Sequence, residues 1–202
     1  MEMRRRGFLI GAVAGACAAV GGEAEDAGAR ALPAIAPPGS DNGKRLRTRC
    51  TGCNLCVAKC PTKVLKAATL EYGLAGTMMP VMDFSRGSCE KECTLCGEVC
   101  PTGAIRRLTK EEKAQTKIGT AELVEGWKGH CLAFKDGFRC ALCATHCRYG
   151  AVKVVEEEVE EKTDEGKAIK KKVRLPKVDS AKCVGCGACA HVCPAHALTI
   201  LA

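Results

Sequence analysis

The chain has 202 residues, and 17 of them are cysteine, whereas its aromatic residues are four Phe, two Tyr and one Trp. The many cysteine and aliphatic residues argue against intrinsic disorder, and the scarcity of aromatic side chains argues against an ordinary hydrocarbon core as the main source of stability. Disulfides or metal sites must therefore contribute. The formal net charge is +8, which by itself would also suit a nucleic-acid binder.

The first 30 residues predict an export signal. A basic start at Arg4–Arg6 precedes an apolar run to about Val20, which is shorter than the span of about 20 residues that a membrane helix needs. The Arg5-Arg6-x-Phe8-Leu9 pattern resembles the twin-arginine signal, whose pathway exports proteins already folded around their cofactors. A short basic membrane anchor is the alternative interpretation.

The processing of this segment stays open. Cleavage after Ala29, Ala31 or Ala36 is compatible with the sequence, and Cys17 is a weak candidate for lipid attachment. Residues 31–43 are rich in Ala, Gly and Pro and predict a linker.

Apart from Cys17, the cysteines form four sets of four, which is an internal repeat. Sets one and four have the spacing C-x2-C-x2-C-x3-C-P, set two begins with x3, and set three begins with x8 and has no proline. In chain order the sets are Cys50, Cys53, Cys56 and Cys60; Cys89, Cys93, Cys96 and Cys100; Cys131, Cys140, Cys143 and Cys147; and Cys183, Cys186, Cys189 and Cys193.

This spacing is that of bacterial [4Fe–4S] proteins, in which the fourth cysteine of one motif binds the cluster of its partner motif. Strand-like segments between sets one and two, and between sets three and four, suggest that these neighbours pair, as in a two-cluster ferredoxin. The predicted cofactors are four [4Fe–4S] clusters. Their ligands would be Cys50, Cys53, Cys56 and Cys100 (site 1); Cys60, Cys89, Cys93 and Cys96 (site 2); Cys131, Cys140, Cys143 and Cys193 (site 3); and Cys147, Cys183, Cys186 and Cys189 (site 4). A nested pairing of set one with set four and set two with set three is the alternative.

Other uses of the cysteines fit the spacing less well. Disulfides do not call for four repeats of one motif, and zinc sites prefer two C-x2-C arms separated by a longer loop. The beginning of set two also matches the cluster loop of radical enzymes that use S-adenosylmethionine, but the chain is too short for the barrel of those enzymes.

Set three is irregular. Its long first spacer carries Phe134 and Phe138, and Arg148 stands where the other sets have proline. His130 could in principle be a ligand but is interpreted as a bystander, and Trp127 and Tyr149 are candidates for packing over set three. The remaining histidines, His146, His191 and His196, are expected to be exposed.

The predicted fold is α+β, with two bacterial dicluster ferredoxin-like modules in tandem, at residues 44–108 and 128–202. Residues 109–127 would connect them. The Thr109–Glu112 segment has capping-box spacing and predicts a helix from about Lys110 to Lys117. Near residues 154–174 an acidic segment, a turn and a basic segment predict a charged β-hairpin insertion.

The four motifs and the export signal together resemble the ferredoxin-type proteins of the NapG/MauM family, from Arg49 to the C-terminus. The segment Val81–Gly87 also resembles the related ferredoxins of periplasmic nitrate reduction. The resemblance implies a periplasmic electron carrier that takes electrons from a membrane-bound quinol-oxidising iron–sulfur protein and passes them to a periplasmic reductase or cytochrome. The alternative is an iron–sulfur subunit of a molybdoenzyme-type membrane oxidoreductase, for which nested pairing would be expected.

An electron carrier rather than an enzyme is also what the sequence alone favours. It has no G-x-G-x-x-G or P-loop motif and no recognisable site for a small-molecule substrate. A ligated, oxidised [4Fe–4S] cluster carries a charge of roughly −2, so four clusters would offset a protein charge of about +8. The basic surplus is therefore interpreted as compensation for the clusters, and no nucleic-acid partner is expected.

Overall fold

The structure is a computed structural model and describes residues 34–162 and 168–202. The predicted export signal, residues 31–33 of the predicted linker and residues 163–167, where the hairpin turn is predicted, lie outside the described residues. Within the described ranges, no helix is both long enough and apolar enough to span a bilayer.

Short helices and short strands alternate through the first half of the chain. They are α1 (Lys44–Arg49), α2 (Leu55–Lys59), β1 (Leu65–Ala67), a 3₁₀ turn (Leu74–Gly76), β2 (Pro80–Met82), α3 (Leu95–Glu98) and α4 (Lys110–Gln115). Strands β1 and β2 pair in antiparallel orientation, with Leu65 opposite Met82. This small sheet connects set one to set two.

The second half contains longer strands. Its elements are β3 (Thr120–Leu123), a 3₁₀ turn (Trp127–Gly129), α5 (Leu132–Lys135), α6 (Leu142–Thr145), β4 (Val152–Lys162), β5 (Ala168–Val178), α7 (Ala188–His191) and β6 (Leu198–Leu201). The strands form two antiparallel pairs, β3 with β6 and β4 with β5. With helices and small antiparallel sheets, the predicted α+β class is confirmed.

The predicted charged hairpin is present as β4 and β5, and it extends a few residues beyond the predicted bounds. Its register sets Glu156 opposite Arg174 and Glu158 opposite Lys172. The charged groups of these pairs lie 3.8 Å and 3.9 Å apart. Because exposed ion pairs are worth at most about 1 kcal/mol each, they favour this register more than they raise overall stability.

The predicted helix after residue 109 is also present. The Thr109 hydroxyl accepts a hydrogen bond from the Glu112 N–H, and the Glu112 carboxylate accepts one from the Thr109 N–H. This capping box satisfies two N–H groups that the helix cannot bond internally. The helix ends at Gln115, two residues before the predicted Lys117.

The pairing of β3 with β6 was not predicted, because residues 109–127 were interpreted as a connection alone. Thr120 lies opposite Leu201, and Leu123 lies opposite Leu198. The four-residue segment is too short to show strand periodicity, so its pairing depends on the distant C-terminal strand. Ala121 and Ile200, which face each other, are both buried.

The core contains small aliphatic side chains together with cysteines. Leu46, Val64 and Ile105 are 1%, 2% and 2% exposed. Five cysteines are also buried, with 6–9% of their surface exposed: Cys56, Cys60, Cys89, Cys183 and Cys189. The described residues belong to one compact unit, and these five cysteines are part of its interior.

Candidate iron–sulfur sites

The third cysteine of each set lies on a short helix. Cys56 is on α2, Cys96 on α3, Cys143 on α6 and Cys189 on α7. Burial raises the pKa of Cys56 and Cys143 to about 11, and that of Cys96 and Cys189 to about 12. Buried thiols of this kind become thiolates only beside a compensating positive charge, which iron would supply.

The cysteines predicted for site 1 line one cavity. Cys50, Cys53, Cys56 and Cys100 surround it, and Leu46 and Ile105 are among the apolar residues that complete its wall. Burial is the main cause of the raised Cys56 pKa, and the proximity of Cys50, Cys100 and Cys53 raises it further. Set two thus contributes its fourth cysteine to a cavity that set one otherwise forms.

Site 2 is the counterpart in the same module. Its cavity is lined by Cys60 of set one and by Cys89, Cys93 and Cys96 of set two, with Pro61 and Leu95 beside them. Sets one and two are therefore interleaved around two cavities.

Sets three and four are arranged in the same way. The cavity of site 3 is lined by Cys131, Cys140 and Cys143 of set three and by Cys193 of set four. At site 4, Cys186, Cys183 and Cys147 all lie close enough to Cys189 for their charges to raise its pKa. Each predicted ligand group is thus brought together between neighbouring sets, whereas nested pairing would combine sets one and four.

The fourth cysteine of each set accepts hydrogen bonds in the folded chain. Burial raises the pKa of Cys60, but the Leu65, Val64 and Thr62 N–H groups and the Thr62 hydroxyl outweigh it, so the pKa lies below its ordinary value. The same balance lowers the pKa of Cys100, where Ile105 and Thr102 are the main donors.

In the second module the equivalent donors are the N–H groups of Ala151 and Ala197, which lie 3.2 Å from the Cys147 Sγ and 3.3 Å from the Cys193 Sγ. Such donors stabilise a thiolate, the form of cysteine that binds iron.

The donor set fits [4Fe–4S] clusters better than single ions. All sixteen cysteines in the described residues are free thiols. In the same residues, no group of three or more His, Cys, Asp or Glu side chains is arranged to hold one metal ion. The four thiols of sites 1, 2 and 3 each surround a cavity instead.

A tyrosine hydroxyl supports the same interpretation. Tyr149 Oη is buried and has no hydrogen-bond partner within the described part of the chain. Burial, followed by the charges of Cys186 and Cys89, raises the pKa of Tyr149 to about 12. Buried hydroxyl groups are normally hydrogen-bonded, and a cluster sulfur would provide an acceptor between sites 2 and 4.

The other residues singled out around set three have mainly packing roles. Trp127 meets Phe134 edge-on with ring centres 5.2 Å apart, whereas Phe138 is 60% exposed. All four histidines are exposed, as predicted for His146, His191 and His196. His191 nevertheless lies 3.1 Å from the Phe84 carbonyl oxygen, a contact between the two modules.

Two residues near the cysteines could not be assigned from the sequence. Arg148 donates hydrogen bonds to the Cys89 carbonyl (3.3 Å) and to the Glu90 carboxylate (2.6 Å). Lys113 is 3% exposed and lies against the same segment. The sequence gives one indication of a special role for Arg148, which stands where the other three sets have proline. Nothing in the sequence distinguishes Lys113 from its exposed neighbours.

Comparison with known proteins finds two iron–sulfur segments in the chain. A family model described as a 4Fe-4S dicluster domain matches residues 49–104 and again residues 138–197. The two matches confirm two dicluster segments in tandem.

Several curated ferredoxin-type proteins are similar over most of the chain. The Ferredoxin-type protein NapG of Escherichia coli is 37% identical, over 94% of this chain and 80% of that protein. The Methylamine utilization ferredoxin-type protein MauM of Methylophilus methylotrophus is 32% identical, over 82% of this chain and 68% of that protein. The Ferredoxin-type protein NapF of E. coli is 28% identical, over 84% and 86% of the two chains.

Proposed function

The chain belongs to the family of ferredoxin-type iron–sulfur electron carriers that includes NapG and MauM, and from this we propose that it relays electrons from a membrane quinol-oxidising iron–sulfur protein to periplasmic redox enzymes. The sixteen cysteines of sites 1 to 4 would hold four [4Fe–4S] clusters, each of which takes up and releases one electron without a change of bonding partners. No residue of this chain has to act as an acid, a base or a nucleophile.

The observation that carries the proposal is the succession of cysteines across the described chain. Cys96 of site 2 lies near Cys56 of site 1. Cys89 of site 2 donates its N–H to the carbonyl of Cys186 of site 4, at 2.8 Å. Cys189 of site 4 lies near Cys143 of site 3. The sites therefore follow one another in the order 1, 2, 4, 3, which is the arrangement that a relay requires.

The two ends of this row differ from its middle in exposure. Site 1 has one exposed and one buried cysteine and site 3 has no buried one, whereas each middle site has two buried and two half-buried cysteines. Sites 1 and 3 are therefore the ones at which electrons can enter from and leave to partner proteins. Sites 2 and 4 would carry the electron between the modules, shielded from side reactions with solvent.

The proposed location is the periplasm, reached in the folded state by the twin-arginine route, with association to the membrane through the quinol-oxidising partner. The Arg5-Arg6-x-Phe8-Leu9 signal supports this, because clusters assembled in the cytoplasm would be lost on passage through a pore for unfolded chains. As an iron–sulfur subunit of a larger molybdoenzyme the chain would be expected to pair its motifs in nested order. Nothing in the cysteine groups favours that alternative.

Electron transfer can be tested with the anaerobic holoprotein and vesicles that contain a quinol-oxidising iron–sulfur partner. On addition of quinol, the iron–sulfur absorbance of the holoprotein should bleach, and a periplasmic acceptor should reoxidise it. The variant Cys186→Ser serves as a comparison, since it alters a middle site and should slow reoxidation. A holoprotein that binds no iron, or that no quinol-oxidising partner reduces, would refute the proposal.

A further inference from the structure

A buried lysine lies beside site 2. Lys113 is on helix α4 and is 3% exposed, although Lys110 at the start of the same helix is exposed. Lysine is almost never fully buried unless it is paired with an opposite charge, because removing the ammonium group from water costs several kcal/mol. The position of Lys113 therefore requires a nearby anion.

The described residues provide that anion only through a cysteine. Lys113 Nζ donates a hydrogen bond to the Glu90 carbonyl oxygen at 3.2 Å. Glu90 directly follows Cys89, and burial raises the pKa of the Cys89 thiol while the nearby charge of Lys113 opposes this rise. Within the described part of the chain, no carboxylate oxygen lies within 4.0 Å of it. The negative group that balances Lys113 is thus a ligand of site 2.

The same segment is where the two modules meet. The Cys89 N–H donates a hydrogen bond to the carbonyl oxygen of Cys186, which belongs to site 4. Arg148, which follows Cys147 of site 4, donates hydrogen bonds to the Cys89 carbonyl and the Glu90 carboxylate. The Arg148–Glu90 pair is half-exposed and largely balances its own charge. Lys113 differs because it is buried and has no carboxylate partner among the described residues, so its full charge acts on site 2.

We propose that Lys113 is the counter-charge of the cluster at site 2 and raises the reduction potential of this site, which lies where the modules join. The inference rests on the proposed function. A reduced cluster carries one more negative charge than an oxidised one, and a fixed ammonium beside a ligand in a low-dielectric interior stabilises the reduced form more. Lys113 thus acts through its positive charge on the cluster and does not itself exchange electrons.

The test is a redox titration of the holoprotein followed by EPR, with three variants of one helix. Lys113→Met removes the charge at nearly constant volume, Lys113→Arg keeps the charge, and Lys110→Met removes an exposed charge from the same helix. In Lys113→Met, the ratio of reduced to oxidised site 2 at a fixed potential should fall about tenfold, equivalent to about 59 mV for one electron. Lys113→Arg and Lys110→Met should stay within about twofold of the parent.

The affected signal is assigned to site 2 by its alteration in Cys93→Ser. A role of Lys113 in holding α4 alone would lower the melting temperature and leave all four potentials unchanged, and this result would overturn the proposal. Equal shifts in every cluster, or an equal shift in Lys110→Met, would also overturn it.

If Lys113→Met loses the iron of one cluster, the iron content of Lys113→Arg decides the outcome. Full iron content in Lys113→Arg supports the role of Lys113 as a counter-charge, and loss of the same iron in both variants contradicts it. The proposed electron relay would be refuted by a different result, namely that no cluster of the holoprotein can be reduced.

Discussion

The hydroxyl group that follows each fourth cysteine of the first module should raise the potential of its site. Thr102 Oγ1 lies 3.8 Å from the Cys100 Sγ of site 1, and Thr62 Oγ1 lies 3.6 Å from the Cys60 Sγ of site 2. The equivalent positions in the second module hold Tyr149 and Ala195. Once the cysteine is an iron ligand its sulfur has no proton, so the threonine is the donor, and the bond strengthens as the cluster gains an electron.

Replacing Thr102 by Val removes this donor while the shape of the side chain is kept. A hydrogen bond to a charged group contributes about 1.5–3 kcal/mol, but only the difference between the two redox states counts. The contact is long and the site is half-buried, so a difference of about 0.5–1 kcal/mol is reasonable. Converted at about 1.4 kcal/mol per 59 mV, this predicts that the potential of site 1 falls by about 20–40 mV.

EPR-monitored titration of the purified holoprotein measures this shift. Thr102→Ser, which keeps the hydroxyl, should differ little from the parent, and Ala195→Thr should raise the potential of site 3 because it introduces the missing donor. If Thr102→Val leaves every potential unchanged, or if Thr102→Ser shifts the potential of site 1 as much as Thr102→Val does, the Thr102 hydrogen bond does not raise that potential.

Three further predictions follow from the buried cysteines, the module contacts and the signal. Removing iron anaerobically with a chelator should abolish most of the far-UV circular dichroism of the folded protein, because five of its core side chains are cysteines of the sites; retention of native dichroism by the iron-free chain would contradict this. Arg148→Ala should lower the free energy of unfolding of the holoprotein by about 1–2 kcal/mol in denaturant titrations, since it removes an exposed ion pair and one hydrogen bond to Cys89. The control Lys153→Ala, at an exposed strand position, should change the free energy of unfolding by less than about 0.5 kcal/mol. Changing Arg5 and Arg6 together to Lys should leave the iron-loaded protein in the cytoplasm on cell fractionation, and unchanged periplasmic recovery would argue for another export route.

Much of the fold was predictable because it is encoded in local spacing. The C-x2-C-x2-C-x3-C pattern indicated the interleaved groups, and the Glu-rich and Lys-rich segments indicated the hairpin of β4 and β5. Thr109 and Glu112 indicated the start of α4, since a capping box involves residues three positions apart.

The remaining features depend on contacts between distant segments. Strand β3 was missed because its four residues become a strand only by pairing with Leu198–Leu201. Lys113 could not be recognised because its burial is set by the Cys89 segment packing on α4, and an isolated lysine is ordinarily expected to be exposed. The contact between Cys89 and Cys186 likewise joins residues that no local pattern connects.

Four clusters in one row through the described residues can be tested by stepwise reduction of the anaerobic holoprotein. We expect about sixteen iron atoms per chain, uptake of about four electrons, and an EPR spectrum of the fully reduced protein that is broadened by coupling between neighbouring clusters. Fewer than four reducible clusters, or four signals that remain magnetically independent at full reduction, would contradict it.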